Sequence, residues 1–128
     1  MFNYFFTLLF NYKYTFHWRI VFYLNSIVLL YLTLMPSVQP QSSIQHLDKL
    51  FHFIGFGAFA FFYRLAYPKI QESKIILLSC LLGVTVEIIQ GILPHRSFSY
   101  ADMIADFTGI LIAVLFLWVG KRKVATNV

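Results

Sequence analysis

Three of the four prolines, Pro36, Pro68 and Pro94, each stand at the end of a long apolar run. A proline cannot continue a helix, and about 20 mostly apolar residues are what a helix needs to cross a bilayer. Runs of this length, each followed by a helix stop, leave few folds open. The first run extends from Arg19 to Met35, the second from Lys49 to Tyr67 and the third from Ser73 to Leu93. A fourth, from Ala101 to Gly120, ends without a proline. The pattern predicts an all-α fold: an integral membrane bundle of four transmembrane helices, with residues 1–128 forming one domain.

Composition agrees with that reading. The chain is 59% hydrophobic and only 12% charged, too little charge to cover the surface of a water-soluble domain of this size. Its net charge of +5 does not point to nucleic acid, because the basic residues flank the apolar runs and make no aromatic-interleaved basic face. They set an orientation instead. Lys13, Arg19, Arg64, Lys69, Lys74, Lys121, Arg122 and Lys123 fall on one side of the predicted bundle, and only Lys49 and Arg96 on the other. Lys and Arg accumulate on the cytoplasmic side, so both termini are expected in the cytoplasm, with the loops PSVQPQSSIQHL and PHRSFSY facing outward. Residues 1–18 lack the basic start and small-residue cleavage site of a signal peptide and read as an interfacial aromatic segment. The single cysteine, Cys80, reads as a small packing residue inside the third run.

The five acidic residues are distributed unevenly. Asp48, Glu87, Asp102 and Asp106 all fall near the predicted outward ends of the second, third and fourth runs, together with His52, Gln90 and Arg96. Helical spacing places Asp48 and His52 on one face, Glu87 and Gln90 on another, and Asp102, Asp106, Gly109 and Ala113 on a third. Small residues along the last stripe permit close helix approach. Asp48 also fits a first-turn acid stabilised by the helix dipole, and Ser99-x-x-Asp102 fits a capping box. Glu87 has no such local role, since the last turns of a helix disfavour an anion. An ionisable residue inside a span is a functional candidate, and Arg96, the fixed positive charge of the adjoining loop, is its expected partner.

The polar residues at these spacings resemble a known family. Asp48-Lys49-Leu50-Phe51-His52-Phe53-Ile54-Gly55-Phe56, then Glu87-Ile88-Ile89-Gln90, Arg96 and Asp102-Met103-Ile104-Ala105-Asp106-Phe107-Thr108-Gly109 are similar to the VanZ-like membrane proteins, over about residues 20 to 120. The position of Asp106 is often Asn in that pattern, so this chain carries an additional carboxylate. The resemblance implies a multi-pass protein of the bacterial cytoplasmic membrane acting at the cell envelope, and a link to glycopeptide, particularly teicoplanin, resistance.

Two classes of function follow. In one, the outward pocket belongs to a binding or accessory protein whose partner is a membrane lipid or another envelope component. In the other, it belongs to a membrane enzyme acting on an envelope lipid or phosphate head group. His52, Glu87 and Arg96 are then the catalytic candidates, while Asp48, Lys49, Gln90, Asp102 and Asp106 bind the ligand. No nucleophilic Ser or Cys stands out, and no cofactor is indicated. His52, Asp48, Glu87 and Asp102 offer N/O ligands of the kind Zn²⁺ or Mn²⁺ takes, but their spacing matches no metal motif, and no metal site is expected. The uniformly apolar inner half of each run argues against an ion pathway.

Overall fold

A computed structural model describes residues 2–35, 45–94 and 96–125. Five α-helices follow one another: α1 (Phe2–Leu9), α2 (Thr15–Leu34), α3 (Gln45–Ala66), α4 (Glu72–Ile92) and α5 (Tyr100–Ala125), with a 3₁₀ turn at Tyr12–Tyr14 before α2. The described residues contain no strand. Helices α2 to α5 run up and down beside one another, with α3 packed against α5, α2 and α4.

The helix ends follow the prolines. Met35, before Pro36, and Leu93, before Pro94, both leave the helix for extended backbone, with ψ of 135° and 140°. A proline ring clashes with a helical residue in front of it and forces this exit. Helix α3 ends at Ala66, two residues before Pro68. The first predicted run begins later than its helix: Thr15, Phe16, His17 and Trp18 belong to α2, not to a separate N-terminal segment. Most of the loop predicted to follow that run, residues 36–44, lies outside the described residues, as does His95 of the second outward loop.

Among the described residues three helices, not four, are long and apolar enough to cross a membrane: Tyr12–Leu34 with the 3₁₀ turn included, Glu72–Ile92 and Tyr100–Ala125. Helix α3, the fourth expected span, falls outside this set by its composition. Asp48, Lys49, His52 and Arg64 interrupt its apolar sequence. The helix tolerates them because it sits between the other three and turns His52 and Arg64 into the protein, where they are 3% and 2% exposed.

The distribution of polarity is inverted relative to a water-soluble bundle. Glu87, Asp106 and Ser79 are fully buried, while Ile92 is 79% exposed and Ile27, Leu32, Leu77, Leu81, Ile104 and Leu115 also face outward. Thr85 and Thr108, on the outer surface, turn their hydroxyls back to the carbonyls of Leu81 and Ile104 at 2.7 Å. Such bonds satisfy a hydroxyl where no water is at hand. The apolar core between the helices includes Phe22, Phe56, Phe59, Ile75, Val86 and Ile110.

Two glycines set the closest helix approach. A Cβ on Gly109 of α5 would run into the carbonyl oxygen of Phe53 on α3, and one on Gly57 would stand 3.2 Å from the Gly109 oxygen. Small residues at such a crossing let backbones meet, and here they bring the start of α3 against the start of α5. At the other end, the Phe6 ring of α1 occupies the space a side chain at Gly120 would need, and Leu9, Leu65 and Leu117 close around it.

Candidate functional site

At the end of the bundle where α3 and α5 begin, three helices deliver ionisable side chains to one buried layer. His52 comes from the second turn of α3, Glu87 from the last turns of α4, and Asp102 and Asp106 from the first turns of α5. His52 Nδ1 lies 3.0 Å from Asp106 Oδ1 and 3.9 Å from Glu87 Oε1. The His52 ring stacks on Phe56 with centroids 6.2 Å apart, which fixes the plane of the imidazole. Gly83, one turn before Glu87, leaves room for Asp106: a Cβ there would stand 3.2 Å from Asp106 Oδ2.

Glu87 has a role that its own helix does not explain. Its Oε2 accepts the backbone N–H of Ser99 at 2.9 Å, while the Ser99 hydroxyl accepts the N–H of Asp102 at 3.2 Å. In a capping box the acid three residues after the cap reaches back to the cap's own N–H. Here Glu87 takes that N–H from across the bundle, and Asp102 is released from it. Asp102 turns instead toward Lys49, whose Nζ is 3.5 Å from Asp102 Oδ1.

The pairing of Glu87 with Arg96 is not found. Arg96 reaches the end of α2, donating from Nη2 to the carbonyls of Leu32 at 3.2 Å and Met35 at 3.1 Å, and from Nε to Met35. Its Nη1 stands 3.8 Å from Asp48 Oδ1, a half-exposed carboxylate. The last carbonyls of a helix are unpaired and carry partial negative charge, which is where a guanidinium settles. Gln90 does the same work: its Nε2 donates to the Thr33 carbonyl at 2.6 Å. Spacing correctly put Gln90 near Glu87 on α4, but the two side chains part company, Gln90 toward α2 and Glu87 toward α3 and α5.

The structure therefore divides the sequence candidates. His52, Glu87, Asp102 and Asp106 converge, with Lys49 and Asp48 at their edge, while Gln90 and Arg96 fasten α2 to the rest. Two overlapping groups have ligand atoms within 4.8 Å of one another: His52 with Glu87 and Asp106, and His52 with Asp48 and Asp102. An imidazole has two ring nitrogens and can serve two such groups. Sequence reasoning missed that Asp106 is the direct partner of His52, because the two are 54 residues apart and nothing local joins them. It also missed the N–H of Ser99 as the anchor of Glu87; the capping signal at Ser99 was legible, but not that its backbone donor would serve another helix.

The oxygens left over define what the layer can do. Glu87 Oε1 and Asp106 Oδ2 are buried and accept no hydrogen bond, whereas Asp102 Oδ1 has the Lys49 ammonium beside it. Carboxylate oxygens only accept unless protonated, so a layer with spare acceptors is complementary to a donor or a cation rather than to an anion. An all-helical apolar chain with a buried ionisable layer defines a small helical membrane protein. Residues 3–121 match the VanZ/LLP1 family, and the chain belongs to it. No match was found among curated proteins or among solved structures.

Proposed function

We propose that this chain is a multi-pass protein of the bacterial cell membrane, acting at the envelope as a binding or accessory protein through an outward-facing polar layer. In this reading α3 crosses with α2, α4 and α5, shielded by them, and the preponderance of Lys and Arg at the opposite end keeps both termini in the cytoplasm. Helix α1 lies at the inner interface. The single observation that carries the reading is the buried convergence of His52, Glu87 and Asp106 from three helices. The second half of the proposal, an effect on susceptibility to glycopeptides and teicoplanin in particular, is supported by the VanZ/LLP1 match.

The ligand is a membrane lipid or another envelope component that presents a donor or positive group to the carboxylates. An apolar groove of about 410 Å³ lies open between α3 and α5. It begins at Phe53, next to His52 in sequence, and at Gly109, three residues after Asp106, so it offers an acyl chain a place beside the polar layer.

One observation favours a second reading, a membrane enzyme acting on an envelope lipid or phosphate head group. Asp106 against His52 Nδ1 is the arrangement that fixes an imidazole for proton transfer. Arg96 supports this less than its sequence position implied, because the end of α2 already engages it.

The test is the teicoplanin concentration that inhibits bacteria expressing the chain, beside Glu87→Gln and His52→Ala at matched membrane levels. Protection by the wild type, lost in both variants, is the expected result. Protection that survives both substitutions removes the polar layer from the function, and no protection at all removes the drug-linked reading.

A further inference from the structure

We infer that His52, Glu87 and Asp106 form a binding site for one divalent transition cation of the Zn²⁺ or Mn²⁺ kind. Distances are the first ground. Tetrahedral coordination with bonds of about 2.0–2.2 Å sets neighbouring ligand atoms roughly 3.3 Å apart. The two measured separations, 3.0 Å from His52 Nδ1 to Asp106 Oδ1 and 3.9 Å from Nδ1 to Glu87 Oε1, bracket that value. All three ligand atoms lie within 4.8 Å of one another, close enough for side-chain adjustment to bring them onto one ion.

Unsatisfied valence is the second ground, and it is independent of the distances. Glu87 is 0% exposed, and its Oε1, the oxygen directed at His52, has no hydrogen-bond partner. Asp106, also 0% exposed, leaves its Oδ2 without one. Buried carboxylate oxygens without a partner are rare in folded proteins, and two of them beside one imidazole are complementary to a cation.

Charge is the third. Asp102 has Lys49, and Asp48 has Arg96. The ion-pair partner of both Glu87 and Asp106 is His52. Two carboxylates and one neutral imidazole match a dication in charge, and in this set of oxygen and nitrogen donors zinc and manganese are favoured over calcium. The ion takes the position between Nδ1 and Oδ1 that a proton otherwise holds. The remaining elements already serve as an outer shell. Ser99 N–H holds Glu87 by its other oxygen, and the Phe56 ring holds the imidazole. The extra carboxylate relative to the family pattern, Asp106, is then a ligand.

The experiment is direct. The full chain, purified in detergent and stripped with a chelator, is titrated calorimetrically with ZnCl₂ and, separately, with MnCl₂, and its thermal unfolding is followed with and without each metal. One equivalent of at least one metal is expected to bind saturably and to raise the unfolding temperature. Glu87→Gln and Asp106→Asn are each expected to weaken uptake by about tenfold or more, while Glu72→Gln, at the far end of the bundle, binds as the wild type does. Wild-type protein that unfolds cooperatively yet takes up neither metal overturns the inference, as does uptake unchanged in the two variants. If Asp106→Asn does not fold, Glu87→Gln decides, since its amide oxygen retains the Ser99 bond. Metal uptake is read without any drug, so its failure leaves the teicoplanin reading standing, and the reverse holds equally.

Discussion

The two ends of the bundle solve the same problem differently. At the end where α3 finishes and α4 begins, Arg64 is buried and paired: Nη1 donates to the Pro68 carbonyl at 3.0 Å and Nη2 to Glu72 Oε1 at 3.2 Å. Lys121 approaches the same carboxylate at 4.0 Å, and Arg19 donates from Nε to the Ala66 carbonyl that ends α3. At this end cations outnumber the acid, and the surplus rests on helix C-termini, where the backbone welcomes it. At the other end, Asp48, Glu87, Asp102 and Asp106 face Lys49, Arg96 and His52, and two buried acceptors, Glu87 Oε1 and Asp106 Oδ2, remain open. A satisfied network is what a structure needs for itself. Trp18 Nε1, Asn25 Nδ2 and Ser79 Oγ are also buried without a partner, but they are scattered neutral groups; unpaired carboxylate oxygens gathered around one imidazole are what a ligand site requires.

If that contrast is right, removing charge has opposite consequences at the two ends. The largest effect is expected from Arg64→Ala. It takes a buried guanidinium from a one-third-exposed carboxylate, leaves the Pro68 carbonyl unmet and opens a void, so the loss should be about 2–3 kcal/mol, most of it from the void and the lost carbonyl bond. Thermal or denaturant unfolding of the purified protein in detergent measures it.

Glu87→Gln breaks the comparison most cleanly. Its amide oxygen can keep the Ser99 bond, while its NH₂ supplies a donor to acceptors of the His52 group, all within 4.8 Å. In metal-free protein the stability should hold or rise by about 1 kcal/mol. A fall as large as that of Arg64→Ala would make the acidic layer a structural network like its counterpart.

The smallest effect belongs to Lys49→Ala. Its partner is buried, but the Lys49 side chain is 39% exposed. A pair this open is worth about 1 kcal/mol or less, and the same unfolding measurement should show a change in that range.

Much of this was legible in the chain. The proline stops, the apolar runs and the clustering of acids at one end follow from local sequence, and they fixed the helical class and most helix boundaries. Periodicity also named every residue of the polar layer. It did not give the partners. The sequence pairs Arg96 with Glu87 because Arg96 is the fixed positive charge of the adjoining loop; in three dimensions the open C-terminus of α2 draws the guanidinium away. Four spans are expected because Lys49 to Tyr67 is a long, mostly apolar run stopped by Pro68, yet the polar residues of α3 set it apart, and its enclosure by α2, α4 and α5 makes them tolerable.

The sequence by itself determined that this chain forms apolar helices, where they stop, and which residues are too polar for lipid. Those properties depend on nearest neighbours along the chain. The tertiary structure decided that His52 meets Asp106 and Glu87. That meeting depends on Gly57 and Gly109 letting α3 and α5 touch, on Gly83 leaving space for a carboxylate, and on Ser99 anchoring Glu87 from another helix. Each is a contact between residues far apart in the chain, and no local pattern records it.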